Sequence, residues 1–204
     1  MFALKLERVL AEKGIHYAWF MAFISFFLLM FSSSAASTPA VLMLPIIKAF
    51  GWSITDISAI IGALFIIVAV AAPFGTAFML HLGLTKIVVI SCVSLIAGLG
   101  LTTFALEKWH LFFSMGTLLG LASGILSLGF AATVATRWFV EKRGIVLGIL
   151  AASWAAGQIM LVPFIAWIVS NFDWQYGVIP GITGAGVCLL PVSYTHLRAH
   201  ETIA

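Results

Sequence analysis

Arg137-Trp138-Phe139-Val140-Glu141-Lys142-Arg143-Gly144 is the densest knot of charge in the chain, and long apolar runs flank it on both sides. A run of about 20 apolar residues crosses the hydrocarbon core of a bilayer, and both flanking runs reach that length. The knot therefore marks a return of the chain to water. Working outward from it, apolar runs recur from about Ile15 to Ile47, Ile57 to Leu80, Ile87 to Leu106, Leu111 to Ala135, Gly144 to Ser170 and Trp174 to Val192. Six runs of this kind predict an all-α integral membrane protein with six transmembrane helices.

Composition agrees. Apolar residues make up 63% of the chain and charged residues 8%, with a mean hydropathy of +1.18, whereas soluble domains carry about 25% charged residues. At roughly 20 residues per span, 204 residues leave little beyond the spans and their connections. The pI of 9.1 does not point to nucleic acid, because ten Lys and Arg scattered between apolar runs form no basic face. Cys92 and Cys188 fall inside apolar runs and read as small buried packers. The spans carry no phosphate loop, no nucleophile with a base and no set of metal ligands, so neither an enzyme, a cofactor nor a metal is expected.

Residues 1–14 alternate Lys5, Glu7, Arg8, Glu12 and Lys13 with apolar residues. They form either a surface-lying amphipathic turn or a solvated terminus. The apolar run that follows exceeds the 7–15 residues of a signal-peptide core, so it is expected to stay as span one. From Ile15 to Lys48 that span is longer than a bilayer requires, which predicts tilting or bending at Pro39 and Pro45. Within it, Ser33/Ser37 and Ser34/Thr38 are pairs four apart on one face. They read equally as a hydroxyl-lined wall of a substrate path or as tight helix packing. Ser53 or Thr55 is expected to cap span two, with Asp56 beside its positive end. Gly116, Gly120 and Gly124 in span four, and Gly144, Gly148, Ala152 and Ala156 in span five, are stripes of small residues suited to close helix packing. Gln158 is the one large polar group deep in span five and needs a neighbouring helix or a wet cavity. His110, beside Trp109, reads as an interfacial anchor.

Several of these stretches resemble one family. Ala135-Thr136-Arg137-Trp138-Phe139, then Lys142-Arg143-Gly144, then Leu147-Gly148-Ile149 resemble the loop between helices four and five of a major facilitator superfamily transporter. The resemblance is to the branch holding monocarboxylate transporters and oxalate/formate antiporters. Phe50-Gly51-Trp52-Ser53 after Pro45, and Gly157-Gln158 before Pro163, are similar to the same branch. The turn His81-Leu82-Gly83-Leu84-Thr85-Lys86 resembles the signature loop between helices two and three. Leu80 and His81 stand there on the positions of its Asp and Arg, and Thr76 on its first glycine. The loss of that Asp removes the latch the family uses. Gln175 replaces the arginine of the branch's turn before helix six.

The resemblance implies a first six-helix half, residues 15–192, of a twelve-helix secondary transporter working by rocker-switch alternating access. It also implies a small organic anion as substrate, leaves a coupled ion open, and requires a missing C-terminal half as partner. Gly83, Lys86, Arg137, Arg143 and Gly144 are then the gating-loop candidates, and Ser33, Ser34, Ser37, Thr38 and Gln158 the substrate path. The alternative is a six-helix assembly or channel subunit that works as an oligomer. Residues 193–204 change character abruptly and resemble translated sequencing-adapter read-through, which sets them apart as a non-native tail. His196 and His200, four apart in it, are too few for a zinc site. With the N-terminus cytoplasmic, eight of the ten Lys and Arg fall on the cytoplasmic side and only Lys48 and Lys108 on the other. That is the positive-inside bias expected of a cell-membrane protein with this span count.

Overall fold

In lipid no water is available to backbone N–H and C=O groups, so each span must satisfy them internally, and helices result. The computed structural model describes residues 17–199. Its order is α1 (Tyr17–Phe50), α2 (Ile54–Leu82), α3 (Leu84–Thr102), α4 (Lys108–Leu111), a π-helix (Phe112–Leu119), α5 (Gly120–Ile125), α6 (Leu128–Trp138), α7 (Arg143–Asn171), a 3₁₀ turn (Trp174–Val178) and α8 (Ile179–Ala199). Among the described residues, five stretches are long and apolar enough to cross a membrane: Ala18–Phe50, Ile54–Leu82, Leu84–Thr102, Lys108–Trp138 and Arg143–Asn171. The helix α8 follows in the place of the sixth span and continues past Val192 to Ala199. The protein is an all-α, multi-pass membrane protein. Residues 1–14 and 200–204, and the side chains of His196 and His200, lie outside the described residues.

Span one, expected to tilt or bend at Pro39 and Pro45, is a helix of 34 continuous residues that runs through both prolines. At 1.5 Å per residue it is about 51 Å long. Span four, expected as one helix, is built in pieces. It opens on one α-turn, widens into eight π-helical residues, narrows into α5, breaks at Leu126 and Ser127, and resumes as α6. Widening leaves carbonyls off their usual partners, and neighbours supply some of the bonds. Ser94 Oγ of α3 donates to the Leu118 carbonyl at 3.0 Å.

The connections sort cleanly to two ends. At one end, Phe50 stacks on Trp52 and meets Trp174 edge-on at 6.1 Å, while Lys108 Nζ pairs with Asp56 at 2.6 Å. These contacts gather the first, third and fifth connections. Ser53 is the cap of α2, accepting from the Asp56 N–H at 3.1 Å while its own N–H donates to the Asp56 carboxylate at 3.2 Å. At the other end α2 turns into α3 through Gly83 alone, at φ +92 and ψ 141. A side chain at that φ would be strained. Glu107 similarly opens α4, its N–H donating to His110 Nδ1 at 3.1 Å, and the His110 ring lies 3.9 Å from that of Trp109.

Packing is densest where glycines face backbone. A Cβ on Gly124 would stand 2.7 Å from the Val68 carbonyl and 2.8 Å from Ala71 Cβ; one on Gly120 would stand 3.1 Å from the Leu64 carbonyl. Gly116 is looser, with its nearest neighbour at 3.7 Å. Gly129 continues the row against the Thr76 side chain. Spans two and four therefore meet closest to backbone at Gly120 and Gly124. The stripe expected on span five behaves differently. Gly144, Gly148 and Ala152 are exposed on α7, and nothing lies within 4 Å of a Cβ built on Gly144 or Gly148. Helix α7 packs on α1 through another seam, Val146, Leu150, Ser153 and Gly157. Cys92 and Cys188 are buried in the apolar core, as their positions in the spans imply.

Replacing Gly124 by Leu should cost about 1–3 kcal/mol through overpacking, seen as a lower Tm in detergent, while Gly148→Leu should leave Tm unchanged. Equal losses at the two positions would contradict the packing described.

Candidate substrate path and gating loops

The hydroxyl cluster of α1 lies against α7 and α8. Ser33 Oγ donates to the Trp154 carbonyl of α7 at 2.7 Å. Ser37 Oγ donates to the Ser33 carbonyl at 3.2 Å, and Thr38 Oγ1 to the Ser34 carbonyl at 3.0 Å. Ser33, Ser34 and Thr38 are buried and Ser37 is half-buried. Gly157 lies so close to the Met30 carbonyl that no side chain fits between α1 and α7 there. Ser33 thus closes a helix seam, and Thr38 satisfies itself on its own helix. The Ser32, Ser34, Ser91 and Ser123 hydroxyls are buried with no partner among the described residues.

Gln158 is exposed on the face of α7 next to this seam. Sequence periodicity left two homes for it, a neighbouring helix or a cavity; the structure turns it away from the six packed spans. Near the seam, a cavity of about 270 Å³ is lined by Leu29, Ser127, Leu128, Ala131, Leu150, Ala151 and Trp154. It lies beside the break in span four, which nothing in the sequence marks. The only signal nearby is Gly129, whose close approach to Thr76 the glycine row foreshadows.

The loop candidates share the end opposite the Asp56–Lys108 pair. Lys86 is exposed in the first turn of α3, and Arg137 is exposed in the last turn of α6. Arg137 forms no ion pair with Glu141 among the described residues. The arginine with a fixed contact is Arg143, whose Nε donates to the Phe139 carbonyl at 2.6 Å. It thereby occupies an acceptor just past the end of α6, as basic groups at helix C-termini do. Phe139, though its neighbours Arg137, Val140 and Glu141 are exposed, is turned into the protein. It is 8% exposed, packed in the core and edge-on to Trp19 at 5.2 Å. That ring is where the loop meets the start of α1.

Residues 19–203 match the Major Facilitator Superfamily. The chain belongs to that superfamily. Relatives of this superfamily member include monocarboxylate transporter 13 of Rattus norvegicus, 26% identical over 132 residues, or 61% of this chain and 30% of the relative. Monocarboxylate transporter 9 of Pongo abelii is 29% identical over 162 residues, 72% of this chain and 30% of the relative. Monocarboxylate transporter 11 of Mus musculus is 29% identical over 107 residues, 52% of this chain and 23% of the relative. The aligned part of the chain spans about a third or less of the length of the relatives it matches.

The geometry ranks the seam residues. Ser33→Ala removes one interhelical bond, which in membrane proteins averages about 0.6 kcal/mol. Gly157→Val pushes a branched side chain onto the Met30 carbonyl and should cost several times more. Thermal unfolding of the two variants side by side checks the order.

Proposed function

We propose that this superfamily member is the first six-helix half of a secondary transporter for a small organic anion, working by alternating access against a second half. The observation that carries the reading is the superfamily match over residues 19–203, taken with alignments to monocarboxylate transporters that cover 30% or less of those proteins. A substrate bound between two halves needs polar groups on the face that one half turns to the other. Gln158 stands on such a face, and Ser37 is the most accessible of the α1 hydroxyls. Ser33, Ser34 and Thr38 border that path and hold the helices that form its wall.

The spans described carry no Lys or Arg at mid-membrane depth. An unpaired charge at the bilayer centre costs at least about 2.5–3.5 kcal/mol, so the cation that balances an anionic substrate comes from the second half. In this reading the N-terminus and the Lys86 and Arg137 loops face the cytoplasm, in the cell membrane, and Gly83, Lys86, Arg137, Arg143 and Gly144 form the inner gate. Arg143 shapes the loop, and Arg137, exposed and without an ion pair among the described residues, is free to engage the second half.

A long sequencing read through the locus is expected to continue past the codon for Val192 into six more spans. The intact product in liposomes should then take up lactate, formate or oxalate saturably, while residues 1–192 alone should not. A stop codon just past Val192 would instead favour a six-helix subunit that works as an oligomer.

In the intact protein, Arg137→Lys keeps the charge but loses the planar fork that grips a carboxylate or a pair of carbonyls. It should slow transport with substrate affinity and membrane orientation unchanged, and Arg137→Ala should slow it further. Transport at the parent rate in both variants would reduce Arg137 to an interfacial anchor.

A further inference from the structure

Span four contains no proline, and its small residues lie in a row that favours a straight, closely packed helix. It is nonetheless broken near its middle. Leu126 has φ −84 and ψ 56, and Ser127 has φ −116 and ψ −161, both outside the helical region. The Leu126 N–H still bonds to the Ala122 carbonyl, and the ladder resumes only when the Ala131 N–H bonds to the Ser127 carbonyl. The amides of Ser127, Leu128, Gly129 and Phe130 therefore have no helical acceptor, and the carbonyls of residues 123–126 have no helical donor. The Ser127 side chain caps none of them.

We infer that Leu126–Ser127 is a hinge within span four, about which α6 moves relative to α5. Bending a continuous helix breaks ladder bonds, and in lipid each lost bond is costly because water does not replace it. At this joint those bonds are already absent, so rotation about Leu126 and Ser127 breaks none. The two sides of the joint are held unequally. Helix α5 packs tightly on α2 through Gly120 and Gly124, and at Gly124 no side chain fits. Helix α6 meets α2 at its first turn, where Gly129 stands against Thr76, next to the joint, and beyond that it packs through side chains such as Val134 and Ala135 in the apolar core. The 270 Å³ cavity beside Leu128 and Ala131 gives α6 space to enter, with Leu29, Leu150 and Trp154 on its far wall. At the other end of α6, Arg143 holds the Phe139 carbonyl, so the moving segment carries the charged loop with it. The six spans are then not one rigid body: the inner third of span four is a lever within it.

The test is a pair of spin-label distances measured in liposomes, in a chain whose Cys92 and Cys188 are replaced by alanine. Labels at Leu121→Cys and Thr136→Cys span the joint; labels at Ile66→Cys and Leu121→Cys report α2 against α5. All three positions are exposed. The expected result is two distances across the joint, separated by more than about 2 Å, and one narrow distance for the control pair. A single narrow distance across the joint overturns the hinge. So does equal broadening of both pairs, which would mean that the whole bundle deforms. The double substitution Leu126→Ala, Ser127→Ala raises helix propensity at the joint and should merge the two distances into one. Two distances persisting in that variant would move the pivot elsewhere and overturn the assignment to Leu126–Ser127.

Discussion

Backbone lying directly against backbone is the constraint on which this bundle depends. Between helices in lipid the hydrophobic effect supplies little, because an acyl chain is as good a neighbour as a leucine. What remains is dispersion at short range, and that requires residues without side chains at the crossing points. Gly120 and Gly124 against α2, Gly157 against α1 and Gly98 against the Ser114 carbonyl are those points. Each brings a polar backbone near a second helix, and serines then complete the seams. Ser33 reaches the Trp154 carbonyl across the same contact that Gly157 opens. The widened π-helix of span four is tolerated for a related reason, since Gly98 admits it and Ser94 bonds to one of its carbonyls.

The order of the spans, five of which are long and apolar enough to cross a membrane among the described residues, was legible because hydrocarbon imposes a length on each of them, and the loops hold nearly all the charge. The cap of α2 was legible too, since Ser53 and Asp56 stand three apart at a helix start. Which face of a span is buried was much harder to read. In a soluble helix an apolar stripe marks the core, but α7 is apolar all round, so the stripe vanishes. Small residues were the remaining signal. In span four they marked the contact with α2, whereas in span five Gly144, Gly148 and Ala152 lie on the outside while Val146, Leu150, Ser153 and Gly157 form the seam. A row of small residues marks where something can approach closely; it does not say from which side.

The break at Leu126 and Ser127 was not legible for a different reason. No local residue there disfavours a helix strongly, and Gly129 lies after the joint rather than in it. The conformation is set by distant partners: α5 is locked to α2 upstream, and Gly129 is seated against Thr76 downstream. The same holds for Phe139. Its neighbours in the charged loop are exposed, and only the position of Trp19, more than a hundred residues earlier, draws it into the core.

The one-residue link at Gly83 also sets how the protein meets membranes of different thickness. Helices α2 and α3 share that end, yet α2 has 29 residues and α3 has 19. At 1.5 Å per residue, α3 nearly matches a hydrocarbon layer of about 30 Å, and α2 exceeds it by about 14 Å. With the Gly83 ends level, the surplus lies wholly at the far end of α2. A steep tilt would sink that end, and with it the Asp56–Lys108 pair, into hydrocarbon, where charge is costly. The ion pair therefore keeps the far end of α2 standing in the headgroup layer. A thinner bilayer is then met by tilting of α3, while α2 stands above it as a post.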